Sequence, residues 1–303
     1  MHYLPTVSVI CLCYNHAPFL REALDSVFTQ DYPNIDVILV DDASEDGSQE
    51  ILQEYHQKYP ISQLILHTEN KGNCKSFNEA YQRSLGEYII DFATDDCMLP
   101  ERLKKQVQLF EELPQDAGVV YANTEYIDEN STVIKEHFSA TDIKPEGRIF
   151  KDILARHIVE PSSMMVKKKV FDTLRGYDET LAYEDFDFMV RATYGYKFHY
   201  LDEVISQRRK SQFSHSKKLE HTRYKAMFVS TLKVCEKALQ LCSSTEEKQA
   251  LSIRLRYQMR HAFKWRYYAL VKEYFQLLYS INKVNLLDRL FYSLSVLLVR
   301  VKN

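Results

Sequence analysis

The sequence predicts an α/β fold with a parallel sheet and a helical tail, and three observations carry that prediction. Four short apolar runs rich in β-branched residues alternate with segments whose apolar positions recur at helical spacing. Each run leads into a polar cluster: "YNH", "DDAS", "ENKGN" and "TDD". All seven glycines and all eight prolines lie at or before Gly195, so the 108 residues beyond it contain no strong helix breaker.

Taken in order, "VSVICLC" (7–13) reads as a strand buried on both faces. "APFLREALDSVFTQ" places Phe19, Leu20, Ala23, Leu24, Val27 and Phe28 at helical spacing, with Pro18 suited to a first turn. "IDVILVDD" is a second buried strand ending in Asp41 and Asp42, "SEDGSQEILQEYHQKY" a capped helix, and "QLILHTE" a third strand. "CKSFNEAYQRSL" is a helix stopped by Gly86, and "EYIIDFATDD" is the fourth strand. Strands alternating with helices imply right-handed crossovers, and such sheets bind ligands beyond the carboxyl ends of their strands. Beyond residue 118 the pattern loosens, until "AYEDFDFMVRA" opens a helix with Glu184, Asp185 and Asp187 at its start.

With 303 residues, 45% of them hydrophobic, the chain can build one large domain and a smaller one. A net charge of −3 gives no global reason to expect nucleic-acid binding. Cys11, Cys13, Cys74, Cys97, Cys235 and Cys242 show no disulfide framework and no zinc-ligand spacing, so they read as buried thiols of a reducing cytosol. No leader is expected before "TVSVICLCYN", and no apolar run reaches the roughly 18 residues that a membrane span takes.

Each polar cluster has a bland reading: Asp42 and Ser44 could cap a helix, Asn70 to Gly72 could be a turn, and Asp95 and Asp96 could start a helix before Pro100. Four clusters on one rim point instead to a binding site. GxxxxGK[ST] and GxGxxG are both absent, so phosphate would be met through Mg2+ or Mn2+ held by carboxylate, with substrate phosphates completing the shell. Asp185 could complement a helix dipole or serve as a general base on a rigid helix end.

These runs, together with "NKGNCKSFNEAY" and "GYDETLAYEDFDFMVRA", resemble the family 2 nucleotide-sugar glycosyltransferases of GT-A fold, over roughly residues 5 to 215. The resemblance implies a Rossmann-like, mostly parallel central sheet flanked by helices in a catalytic domain of residues 1–215, with a helical region at 216–303. It implies that Tyr14 stacks on the nucleotide base, that Asp42 reads the base edge with Asp41 beside it, and that Lys75 and Asn78 sit near base and diphosphate. Asp95 would reach the ribose or sugar, Asp96 would ligate Mn2+ or Mg2+, and Asp185 would be the catalytic base. The implied reaction is an inverting displacement. It moves one hexosyl or N-acetylhexosaminyl group from a UDP-sugar to a hydroxyl of a glycan or lipid-linked acceptor, as in surface polysaccharide assembly. The alternatives are a degenerate member that binds nucleotide without turnover, and a metal-dependent nucleotidyltransferase, whose glycine-rich, lysine-containing signature is absent.

The chain departs from the family pattern in places. Phe77 stands where arginine is common, and in "VISQRRKSQFSHS" Lys210 stands where histidine is common, leaving His215 as a candidate substitute. The QxxRW signature of processive synthases is missing. The tail run "RLRYQMRHAFKWRYYALVKEYF" reads as a helix with one packed and one solvated face rather than a nucleic-acid surface. Residues 251–303 hold ten lysines and arginines against two acidic residues, so the chain before them is net acidic. In "LLDRLFYSLSVLLVRVKN", Leu286, Leu287, Leu290, Phe291, Leu294, Leu297 and Leu298 form one apolar stripe flanked by Lys283, Arg289, Arg300 and Lys302. Three roles are open to it: packing on the catalytic domain, pairing in a homodimer, or lying on an anionic membrane. The protein is expected to be cytoplasmic, with the last role placing it peripherally on the inner face of the cell membrane.

Overall fold

The four apolar runs form β1 (Val7–Cys13), β2 (Ile35–Asp41), β3 (Gln63–Leu66) and β4 (Tyr88–Ala93) in the computed structural model, which describes residues 3–156, 158–210 and 217–300. β1 is buried along its length and pairs in parallel with β2 on one side and β4 on the other, while β3 pairs in parallel with β2. The crossovers are α1 (Ala17–Phe28), α2 (Ser48–Lys58) and α3 (Asn73–Arg83). Pro18 sits in the first turn of α1, whose Leu20, Ala23, Leu24 and Val27 bury against Val9, Val37 and Ile90 of the sheet core. Cys11 and Cys13 lie inside that core as free thiols, and burial pushes both upward in pKa. Phe77 is fully buried among the rings of Tyr81, Phe171 and Tyr177.

The rest of the sheet adds short antiparallel pairings to this parallel core. β5 (Cys97–Met98), β6 (Ala117–Ile127), β7 (Val133–Glu136), β8 (Met165–Lys167) and β9 (Lys197–Arg209) give the order β3-β2-β1-β4-β8-β6-β9-β5, with β7 on β6. β6 and β9 pair in parallel, but β4–β8, β8–β6, β9–β5 and β6–β7 are antiparallel, so the sheet is mixed. β5, β7 and β8 are two to four residues long, too short to leave a periodic signal. The pairing of β9 with β6 is interrupted by register shifts, and that irregularity erases alternation in the longest strand.

The remaining helices are α4 (Arg102–Glu112), α5 (Phe150–Ala155), α6 (Lys168–Leu174), α7 (Asp185–Gly195), α8 (Lys217–Leu241), α9 (Thr245–Lys264), α10 (Tyr268–Ser280) and α11 (Leu286–Arg300). The long, glycine-free tail is thus helical, as its composition predicts. Two compact units emerge: Met1–Arg148 with Val159–Glu179 and Gly195–Gln212, and Ile149–Ile158 with Thr180–Tyr194 and Phe213–Asn303.

Within the second unit, α9 begins with a capping box in which Ser244 and Glu247 satisfy each other's backbone amides. Leu251, Leu255, Met259 and Ala262 bury while Arg260 and Lys264 stay exposed, the two-faced helix the sequence implied. Arg254 is buried and donates to the carbonyls of Ile153 and Leu154, each at 2.9 Å, with its guanidinium 4.0 Å from the Phe186 ring centre. It satisfies carbonyls at the end of α5 that no helical amide reaches. Among the described residues no helix is long and apolar enough to cross a membrane.

Candidate active site

The polar clusters meet at the carboxyl ends of the parallel strands and are cross-linked there. Tyr14, just past β1, is 47% exposed. Asn15 has φ +58°. Its amide donates to Ser44 Oγ at 2.9 Å, and its side-chain oxygen accepts from the Glu45 amide at 2.9 Å. The His16 amide donates to Ser48 Oγ at 3.1 Å, and Asp46 accepts from the Ala17 amide at 2.9 Å at the start of α1. The His16 ring lies 3.0 Å from Thr94 Oγ1, next to β4. The segments after β1, β2 and β4 therefore form one hydrogen-bonded rim, with Tyr14 free to offer an aromatic face.

Asp41 and Asp42 divide the labour at the end of β2. One Asp41 oxygen accepts from the Ser44 amide at 2.8 Å and from Gln49 at 2.7 Å, while the other is buried with no donor among the described residues. Asp42 accepts from the amides of Lys71 (2.8 Å) and Gly72 (2.9 Å), and His67 Nδ1 lies 3.0 Å away. Burial would raise the Asp42 pKa, but the Lys71 amide, His67, the Gly72 amide and Ser76 outweigh it and hold the carboxyl below its usual range. Gly72 presents its amide at φ +85°, which favours glycine. His67 also meets Glu79 Oε2 at 3.1 Å, and Lys71 pairs with the same oxygen at 2.9 Å. Asp42 thus anchors the "ENKGN" loop.

Lys75 is exposed on the first turn of α3. Asn78, expected near base and diphosphate, has its amide engaged by the chain. Its nitrogen donates to the Tyr177 carbonyl (3.0 Å) and Glu179 (2.9 Å), and its oxygen accepts from the Tyr177 amide (2.9 Å). Gly176 lies so close that an added Cβ would stand 2.4 Å from that oxygen. The structure gives Asn78 the task of holding this turn on α3.

Asp95 and Asp96 follow β4. Asp95 is half-buried and Asp96 only 5% exposed. Asp96 Oδ1 accepts from the Arg209 amide at 2.9 Å, and no side-chain cation pairs with it among the described residues. Burial first, then the Asp95 charge, push its carboxyl up to about 8. At neutral pH such a carboxyl keeps its proton unless a cation stands beside it. Among the described residues no three His, Cys, Asp or Glu side chains gather into a cage. The pair fits Mg2+ or Mn2+ as hard oxygen ligands that leave positions for phosphate.

Arg209, which the sequence reading passed over, holds this pair in place. Its side chain is fully buried on β9. It donates to the Asp95 carbonyl (2.9 Å), the Asp128 carbonyl (2.8 Å), Ser131 Oγ (3.1 Å) and Glu22 (2.7 Å), and its guanidinium lies 4.4 Å from the Phe19 ring centre. One guanidinium thereby joins α1, the acidic turn and the β6–β7 hairpin. Lys210 lies 4.1 Å from the Tyr126 ring centre, and burial first, then Arg208, lower its pKa. His215 lies outside the described residues.

Asp185 opens α7 in the second unit and is half-buried. Asp187, one turn-step further, is fixed between Arg191 (2.6 Å) and Lys237 (2.7 Å). Of the acidic residues at this helix start, Asp187 is therefore structural.

A mixed sheet with parallel strands at its heart, an acidic pair past β4 and a knit polar rim define a glycosyltransferase of GT-A type. The chain belongs to glycosyl transferase family 2: the family model of that name matches residues 8–175. An uncharacterized glycosyltransferase of Methanocaldococcus jannaschii is 32% identical over 208 residues, covering 66% of this chain and 69% of that protein. TuaG of Bacillus subtilis, named as a teichuronic acid biosynthesis glycosyltransferase, is 26% identical over 168 residues, covering 55% of this chain and 64% of its own. A glycosyltransferase of Rickettsia felis is 25% identical over 222 residues, covering 72% of this chain and 36% of that protein. Among solved structures, S. aureus TarS 1-349 in complex with UDP-GlcNAc aligns with TM-score 0.66 at 18% identity, over 91% of this chain and 80% of that one. The mannosyltransferase PcManGT from Pyrobaculum calidifontis, in complex with GDP-Man and Mn2+, aligns with TM-score 0.61 at 18% identity, over 98% and 81%. Family membership decides against the nucleotidyltransferase alternative.

Proposed function

We propose that the enzyme transfers one hexosyl or N-acetylhexosaminyl group from a UDP-sugar, with inversion, to a hydroxyl of a glycan or lipid-linked acceptor in surface polysaccharide assembly. The observation that carries this reading is the buried Asp96, backed by Asp95 and fixed by Arg209 at the end of a central parallel strand. The UDP-GlcNAc complex of TarS and the name of TuaG support the donor and the product class. The six free thiols, five of them buried, fit a reducing cytoplasm.

In this reading Tyr14 stacks on the base, and Asp41 with Asp42 makes the acidic border that discriminates its edge. Lys75 offers a charge to the diphosphate, and Asp95 reaches the ribose or sugar. Asp96, with Asp95 beside it, would hold Mn2+ or Mg2+, which when bound neutralises the departing diphosphate. Asp185 takes the proton from the acceptor hydroxyl. That oxygen bonds to the anomeric carbon as the carbon–oxygen bond to the diphosphate breaks, inverting the centre.

Purified protein incubated with UDP- and GDP-sugars and Mn2+ tests the reading. Sugar release or transfer from a UDP-sugar, lost in Asp96→Ala, is expected. Nucleotide binding with no turnover against any acceptor would make the chain a binding-only member.

A further inference from the structure

Helix α11 packs on its neighbours with the face that composition would have assigned to water. Asp288 and Ser295 are fully buried, and Asp288 accepts from Arg256 Nε at 3.0 Å and from the Asn285 amide at 3.0 Å. Phe291 meets Phe263 edge-on and Tyr292 stacks on Phe275, with ring centres 5.0 and 4.3 Å apart. The opposite face carries Leu286, Leu287, Leu290, Leu294, Leu297 and Leu298, between 37% and 85% exposed. The stripe expected from sequence therefore splits: Phe291 packs, and the six leucines do not. Isolated exposed leucines are ordinary, but six on one face of a 15-residue helix mark an interaction surface.

We propose that α11 docks on an anionic lipid surface, lying in its plane with the leucines in the acyl boundary. The charge around the stripe selects this occupant. Arg289 is exposed at its border, and Lys283 lies half-buried at the entry to the helix. Arg260 is exposed on α9, at helical spacing between Arg256 and Phe263, the residues of α9 that touch α11. Asp288, the acidic residue of the helix, is neutralised by Arg256. A cleft of about 380 Å³ lined by Ile253, Arg256, Tyr257, Arg260 and His261 offers the Arg260 guanidinium and the Tyr257 phenol to a lipid phosphate. A second copy related by a two-fold axis would set this basic border against itself. The side chain of Arg300 and all of Lys302 lie outside the described residues, and the case rests without them. It also holds whichever sugar the enzyme moves.

Flotation of the full-length chain with phosphatidylglycerol-containing and pure phosphatidylcholine vesicles tests the proposal without donor or acceptor. The expected result is salt-sensitive binding to the anionic vesicles. It should be lost in L290S/L294S/L297S and weakened about thirtyfold in R260Q/R289Q, at about fivefold per charge. Both variants should keep the parent circular dichroism melt, because the replaced side chains are exposed. Equal flotation with both vesicle types, no flotation, or an unaffected R260Q/R289Q would overturn the proposal. So would a salt-insensitive dimer that only the leucine variant dissociates.

Discussion

Asp185 and Asp42 show how a carboxylate's surroundings decide its work. Asp187 is locked by two cations, and in the proposed reaction Asp185 is the proton acceptor at this helix start. Asp185→Asn should lower turnover by about 10²–10⁴ while donor affinity changes little. Near-parental turnover with a working acceptor would reduce Asp185 to a helix-start residue. Asp42 makes a different contribution, to stability. Its folded pKa lies below the ordinary carboxylate value, so its stabilisation is complete above the unfolded pKa and fades as pH falls through the folded one. Urea midpoints should therefore drop between neutral pH and about pH 3, more steeply in the parent than in Asp42→Asn. Parallel pH profiles would contradict the loop-anchoring role.

Among the elements, the acidic turn after β4 depends on a strand far away in sequence. Arg209→Gln strips donors from two carbonyls, Ser131 and Glu22, at a cost on the order of 3 kcal/mol, and should weaken donor binding by loosening Asp95 and Asp96. Glu22→Gln should cost far less, since Glu22 is 48% exposed at its side chain. Similar urea midpoints for Arg209→Gln and the parent would refute the strut. The same turn marks what sequence can and cannot reveal. Asp95 and Asp96 were legible because an apolar run ends beside them. Arg209 was not, because its role arises only when β9 pairs with β6 and β5 and brings residue 209 to residues 95–97. β1 to β4 were legible as apolar runs between helical segments, whereas β5, β7 and β8 are too short to show a period.

Across the whole molecule, a sheet unit carries the polar rim and a helical unit carries Asp185 and the basic tail. The helical unit draws in residues 149–158 and 180–194, segments whose place no local pattern announces. The thiols report on both units at once. Cys242 is the one cysteine that is not buried, so a thiol reagent should label it first in the native protein, with all six labelled only on unfolding. Rapid native labelling of Cys11 or Cys13 would contradict the sheet core. The central claim, that Asp96 and a divalent cation together receive a nucleotide diphosphate, is tested most directly by calorimetry of UDP binding with Mn2+ and with EDTA. The parent should bind much more tightly with Mn2+, and Asp96→Ala should bind weakly and equally in both. Equal affinity of the parent with and without the cation would contradict the account.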